Sequence, residues 1–557
     1  MANQPPRRRF AEVIGNAVVM LLLVIVALLF LRLTRGAWWI ANPPSSRWWI
    51  AGGTLTFYLL FCLRMLRRPT TRMQASNSLG AATAAATGDA AVDPSSIAVV
   101  YASQTGFAYE LAQQTTASLN EAGQLAHLAG IEQIDRERLV RGGRLLFVAS
   151  TTGEGDPPDH AYGFLEEVMG QAADLQALEY AVLALGDRTY TQFCAFGRQV
   201  DQWLRRHKAR PLFDIVEVDN GDPAALQTWQ TKVAETFETA AATPWQPPKL
   251  DDWQLVARQE LNPGSLGGGV YHLKLQQTSH EASPVAWQAG DIAEVEPRNS
   301  QASVERWLQQ AGCDGETTIE VGHESTTFAE RLARCELPDL DGLEGRNPQA
   351  LADGLKPLKP REYSIASLPS DGNLELVLRR VVRTDGTLGI CSGWLCDHLE
   401  LQQSVRLRIR SNPSFHPQSV DRPVLLIGNG TGIAGLRGHL KQRVAAGHAE
   451  NWLLFGERSA DRDFFFRDEL SDWQQQGLLK RLDLAFSRDG VQRTYVQDRL
   501  SEAADDLKAW VARDAAIYVC GSLAGMAPAV DAVIRETLGN KLVDQMLADG
   551  RYRRDVY

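Results

Sequence analysis

Cysteine is scarce in this 557-residue sequence: seven residues, an odd and scattered set. The nearest pair, Cys391 and Cys396, makes no C-x-x-C, and there is no H-E-x-x-H or Cys/His cluster, which argues against zinc and iron–sulfur sites. Sparse thiols of this kind suit a reducing compartment better than a disulfide scaffold. No histidine precedes His127, so the N-terminal segment holds no pair of imidazoles for a haem. Basic charge is not in excess either. Lys and Arg number 57 against 67 Asp and Glu, a net charge of −10, which argues against a duplex nucleic-acid binder. No repeat of solenoid period occurs, and the length asks for several domains rather than one core.

What is present begins with two apolar runs, Val13 to Thr34 and Trp48 to Leu66, apolar on all faces and long enough to cross a bilayer. Trp38, Trp39, Trp48 and Trp49 sit near their ends as interfacial aromatics do. Arg7, Arg8 and Arg9 precede the first run, and Arg64, Arg67, Arg68 and Arg72 follow the second or close it. The positive-inside rule then places both termini in the cytoplasm. The expectation is a two-span anchor over 1–72 in the inner (cytoplasmic) membrane, with the lipid bilayer as a partner. The rival, a twin-arginine export signal read from "RRRF", is opposed by the second run and by the lack of a clear cleavage site.

Residues 73–96 are small, polar and aperiodic, a flexible tether. From Ile97 short apolar strands ("IAVVYA", "RLLFVAS", "YAVLALGD", "LFDIVEVD") alternate with helical stretches, which predicts a parallel sheet wrapped by helices over 97–239. Three prolines mark 240–250 as a linker. A strand-rich region with a polar, helix-prone insert near 298–356 fills 251–418, and a second strand/helix alternation fills 419–557.

Three polar, glycine-bearing loops follow successive predicted strands. The first is Ser103, Gln104, Thr105, Gly106, Phe107 and Ala108. The second begins Ser150, Thr151, Thr152, Gly153, and the third holds Leu185, Gly186, Asp187, Tyr190, Phe193 and Cys194. Amides and hydroxyls at a helix start offer donors to a phosphate, although an ordinary polar turn has the same composition. Ligands of open parallel sheets bind beyond such strand ends. Further on, "REYSIAS" supplies Arg361, Glu362, Tyr363 and Ser364, and "GICSGWL" supplies Gly389, Ile390, Cys391 and Ser392. An arginine fork suits a pyrophosphate and a tyrosine can cover a ring. "LLIGNGTGIAG" carries Gly428, Gly430, Thr431 and Gly432, but Ile433 breaks the G-x-G-x-x-G spacing. "AFSRDGVQRTYVQ" contributes Ser487, Arg488, Arg493, Tyr495 and Gln497, cations and hydroxyls that suit a 2′-phosphate better than a bare ribose. The chain closes on "YVCGSLAGM", with Cys520, and on "RYRRDVY", with Asp555 and Tyr557.

In this order the motifs resemble those of the diflavin reductases, from about Ile97 to Tyr557. The resemblance implies an α/β chain: a flavodoxin-like FMN domain, an antiparallel β-barrel FAD domain with a short helical insert, and a C-terminal NADPH-binding domain. It implies FMN on the three strand-end loops with Tyr190 stacking, FAD on Arg361–Ser364, Gly389–Ser392 and Tyr557, and NADPH on Gly430, Thr431 and the Ser487–Gln497 segment. Ser364, Cys520 and Asp555 would line the hydride contact, and Tyr557 would lie over the FAD ring as a displaceable lid. Departures are visible: Phe107 replaces the usual Asn or Thr, Thr152 stands where the haemoprotein-reducing branch has a second tyrosine, and Ser522 and Ala529 replace acids. The implied activity carries electrons from NADPH through FAD and FMN to a one-electron acceptor, expected to be a haem protein. The loop with Glu154, Asp156 and Asp159 is a candidate docking site for a basic partner. A sulfite reductase flavoprotein component, a reductase of quinones or ferric chelates, and a flavin-binding sensor are the alternatives.

Overall fold

A computed structural model describes residues 96–238, 248–278, 285–322, 324–340, 347–418 and 421–557. The chain divides into two units, Met1–Ala91 and Val92–Tyr557, and every described element belongs to the second. The expected inner-membrane localisation is corrected here. Among the described residues no helix is long and apolar enough to cross a membrane. The runs at 13–34 and 48–66, the tether and most of the 240–250 linker lie outside the described residues.

Strands β1 (Ile97–Ala102), β2 (Ala126–Gly130), β3 (Gly143–Ser150), β4 (Leu178–Gly186), β5 (Arg210–Pro211) and β6 (Val216–Asp219) form a parallel sheet. Its order is β2-β1-β3-β4-β5, with β6 also on β4. Side chains alternate between two apolar layers, Ala98, Val100, Phe147 and Val182 in one and Ile97, Val99, Leu146 and Leu183 in the other. A sheet covered on both faces requires this near-continuous apolar run. Strand order reverses between β1 and β3, so the loops after these strands diverge and open a crevice at their carboxyl ends.

Next come β7 (Asp251–Glu260), β8 (Val270–Gln277) and β9 (Ile292–Val295). The chain then leaves the sheet for helices Gln301–Ala311, Phe328–Ala333 and Pro348–Gly354 and a hairpin, β10 (Thr318–Val321) with β11 (Glu324–Thr327). This insert has its own small core around Trp307, Phe328, Leu332 and Leu351. Beside the helices of this helix-prone insert, the β-branched run Thr317, Thr318, Ile319, Val321 favours a strand. With β12 (Arg361–Ser364), β13 (Leu374–Arg379) and β14 (Ser404–Arg410) the chain completes a six-stranded antiparallel sheet, β12-β9-β14-β7-β8-β13. Its two end strands meet at an Ile365–Leu376 bridge.

The last sheet is parallel: β15 (Val424–Asn429), β16 (Asn451–Glu457), β17 (Arg481–Phe486), β18 (Ala516–Gly521) and β19 (Tyr552–Val556), ordered β17-β16-β15-β18-β19. Its strand order reverses between β15 and β18, which again places a crevice at the strand ends. A buried charge cluster joins it to the antiparallel sheet. Glu375, 4% exposed, accepts from Arg437 Nη1 at 2.6 Å and pairs with His272 Nε2 at 3.0 Å, while Arg437 also holds Glu469.

Burial raises the Glu375 carboxyl, but the His272 hydrogen bond and the Arg437 guanidinium outweigh it and hold the group well below the usual carboxylate range. A carboxyl depressed in the folded state stabilises fully above its unfolded pKa and loses that contribution as pH falls. Glu375→Gln is therefore expected to cost about 3 kcal/mol at neutral pH. Denaturant unfolding should show the deficit shrinking below about pH 4, whereas a pH-independent deficit contradicts the assignment.

Candidate functional site

The crevice at β1 and β3 opens into a cavity of about 470 Å³. From the first sheet it is lined by Thr105, Phe107, Ser150, Thr151, Gly153, Leu185, Gly186, Asp187, Tyr190 and Cys194. Most of the residues expected on the flavin mononucleotide loops are among them. Of the others, Gly106 sets the turn with φ +87° and Ala108 and Ser103 are buried beneath. Gln104 faces the C-terminus, Thr152 donates its hydroxyl within its own loop, and Phe193 lies under Arg188, 4.4 Å from ring centre to guanidinium. Two observations fit a phosphate at this turn. Helix Phe107–Glu121 begins without a side-chain cap, and the buried Ser103 hydroxyl has no hydrogen-bond partner among the described residues. Tyr190 is 41% exposed, in keeping with an aromatic that awaits a ring.

The opposite wall of the same cavity belongs to the antiparallel sheet and its approach: Glu294, Lys359, Pro360, Arg361, Glu362, Arg408 and Arg410. Arg361 and Glu362 thus face the first domain's loops. Behind them Tyr363 donates to Cys391 Sγ at 3.4 Å, and Ser392 accepts from the Val381 amide at 3.1 Å, beside Gly389 and Ile390. Ser364 turns the other way. Its hydroxyl donates to Asp555 Oδ2 at 2.8 Å, and the Cys520 thiol lies 3.8 Å from the same oxygen. Ser364, Cys520 and Asp555 therefore meet at one point. Burial pushes the Asp555 carboxyl up, against the Ser364 hydrogen bond that lowers it. Burial, aided by Asp555, also pushes the Cys520 thiol well above its usual range.

Between β15 and β18 lies a second cleft of about 650 Å³. Gly430, Thr431, Ser487, Tyr495, Gln497 and Tyr557 line it. A Cβ at Gly432 would overlap the Cys520 carbonyl, so glycine here lets the loop approach the strand. Arg488 and Arg493 are exposed and do not line the cleft. Arg379, Glu457, Arg458 and Ser522 do, and of these only Ser522 stands in a sequence motif. Arg458 Nη1 is buried against Gly267, without a hydrogen-bond partner among the described residues. The Tyr557 ring lies in this cleft, 57% exposed, with its hydroxyl 3.2 Å from Thr431 Oγ1. It rests on the glycine loop's threonine.

The first domain is docked on the other two. Arg408 Nη1 reaches Glu110 at 2.5 Å, and Arg410 Nε donates to the Thr105 carbonyl at 3.1 Å. Arg554 holds Asp159 through Nε at 3.0 and 3.1 Å. Asp159, expected to greet a foreign basic partner, is 8% exposed and bonded to this chain's own arginine.

The Flavodoxin family model matches residues 99–229, and the Oxidoreductase NAD-binding domain model matches 426–532. A sulfite reductase (NADPH) flavoprotein alpha-component of Neisseria meningitidis is 30% identical over 548 residues, covering 84% of this chain and 90% of that protein. The alpha-component of Yersinia enterocolitica is 31% identical over 546 residues, and that of Salmonella typhimurium 29% over 539. Each of these two alignments covers 83% of this chain and 90% of the relative.

Ser364→Ala removes the hydroxyl that steadies the Asp555 carboxylate. Losing that hydrogen bond, which lowers the Asp555 pKa against burial, should raise the carboxyl further. Infrared difference spectra against Asp555→Asn report it; an unmoved titration contradicts the contact.

Proposed function

The chain belongs to the diflavin reductase family of the sulfite reductase flavoprotein alpha-components, an NADPH-dependent oxidoreductase using FAD and FMN, and we propose that its acceptor is a haem protein that takes electrons singly. When bound, the cofactors supply hydride transfer from the nicotinamide and single-electron delivery to the acceptor. The protein's own share is positioning, electrostatics and exclusion of water. Because the relatives carry the name alpha-component, a sulfite reductase role beside a second component is the closest alternative. A reductase of small acceptors is the other.

The single observation that carries the reading is the shared geometry of the two clefts. Gly521 and Tyr557, which line the dinucleotide cleft, adjoin Cys520 and Asp555 in the chain where these meet Ser364, and the strand bearing Ser364 begins with Arg361 and Glu362, which face the first domain's loops. Edge strand β12 thus runs from the first cavity to the Asp555 contact. In this reading Arg361 neutralises the FAD pyrophosphate, while Gly389 and Ile390 with Cys391 and Ser392 bring backbone amides to it. Asp555, kept at a raised pKa, and Ser364 orient the nicotinamide and balance charge at the transferred hydride. Thr105, Gly106 and the helix that follows hold the FMN phosphate, with Phe107 leaving one side-chain donor fewer. Tyr557 covers the ring that the nicotinamide must reach, and Ser487, Tyr495 and Gln497 receive the 2′-phosphate. Docked as it is, the FMN cavity faces Lys359–Glu362, so a protein acceptor reaches it only after the first domain moves off that wall.

Anaerobic mixing with NADPH is expected to bleach the flavin absorbance within one turnover. A flavin-replete protein that stays oxidised overturns the reading. Ser487→Asp places a carboxylate against the 2′-phosphate and should shift the NADPH-over-NADH preference, measured as the ratio of kcat/KM, by about tenfold or more. An unchanged ratio refutes the assignment of that subsite.

A further inference from the structure

The segment Tyr552–Tyr557 serves three places at once. Strand β19 runs parallel to β18, with Asp555 opposite Cys520. Two residues on, Tyr557 is tied to the dinucleotide cleft by more than its ring. Its amide donates to the Gly521 carbonyl at 3.0 Å, and its carbonyl accepts from the Leu523 amide at 3.0 Å. Gly521 lines the cleft. One residue before Asp555, Arg554 reaches across to the first domain. Its guanidinium chelates Asp159, and its carbonyl accepts from Gln104 Nε2 at 2.6 Å. Gln104 Oε1 in turn accepts from the Asp159 amide at 2.9 Å. The Arg554 and Asp159 side chains are 22% and 11% exposed, too sheltered for solvent to screen the pair away. Gln104 stands inside the turn whose next residues face the first cavity.

Taking the cleft as the NADPH site, we propose that Arg554 is a positioning residue for electron transfer. It holds the phosphate turn of the first domain in register with Asp555 and Tyr557, so that domain docking and occupancy of the nucleotide cleft are linked. The physical path is short and covalent. A dinucleotide lying on Gly430–Thr431 and Gly521–Ser522 must lift Tyr557 from Thr431 and disturb its backbone pairs with Gly521 and Leu523. Those pairs fix the end of a five-residue strand, and Arg554 lies three residues upstream. The parked tyrosine and the Arg554–Asp159 latch therefore stabilise the same strand position. Linkage is reciprocal: loosening the latch eases displacement of the ring, and displacement of the ring loosens the latch.

The test is a double-mutant cycle on the flavin-loaded full chain, read as the dissociation constant of NADP+. Asp159 lines neither the cleft nor the hydride point, yet Asp159→Asn should tighten NADP+ by about fivefold. Arg554→Gln, which breaks the pair from its other side, should tighten it similarly. In a Tyr557→Ala background, where no ring needs lifting, Asp159→Asn should leave NADP+ affinity where Tyr557→Ala alone put it. An Asp159→Asn constant equal to that of the unaltered protein overturns the proposal, as does an equal shift in both backgrounds. Unaltered protein that does not bind NADP+ overturns the reading of the cleft itself, and the proposal with it.

Discussion

Everything in the site depends on the parallel pairing of β19 with β18. That edge strand carries no core of its own beyond Tyr552, yet its register sets where three functions meet. Shifted by one residue, Asp555 would leave Ser364 and Cys520, and Arg554 would face the wrong domain. The fold protects the register by burying Tyr552 and Asp555 and by hydrogen-bonding both backbone groups of Tyr557. A chain terminus tied down on this scale is not a fraying tail.

Charge placement follows the same logic. The two C-terminal sheets share an apolar layer, Val270 and Val377 with Leu426 and Phe455, and arginines that each face a carboxylate on another element join all three sheets: Arg437 with Glu375 and Glu469, Arg408 with Glu110 and Glu294, Arg554 with Asp159. The first of these is deeply buried and ties the two C-terminal sheets permanently. The pairs on the first domain are fewer and lie at its margin, which suits a domain that must separate from its neighbours.

Local features are legible in the sequence and distant ones are not. Strands β1, β3, β4 and β6 announce themselves as apolar runs ending in glycine, hydroxyl or acidic residues, and the cavity-lining loops follow from strand ends alone. Strand β2, "AHLAG", escapes notice because only its parallel partner makes so weak a segment a strand. The insert's hairpin escapes for the opposite reason: its threonines read as part of a polar, helix-prone stretch when they are β-formers. Arg379 and Arg458 reach the dinucleotide cleft from strand β13 and the end of β16, positions that carry no motif. The Arg554–Asp159 pair joins residues 395 apart, so no spacing rule finds it, and Asp159 reads instead as a surface for a foreign partner. The inner-membrane placement is the expectation that fails. It rests on hydropathy at the N-terminus, which lies outside the described residues.

If β19 is the seat on which the first domain docks, hydrogen–deuterium exchange of the full chain should reveal it when the unaltered protein is compared with Arg554→Ala. Protection should be lost in the Ser103–Ala108 turn and around Asp159, with β15 and β16 unchanged. Unaltered exchange in both first-domain segments would contradict that role for the strand.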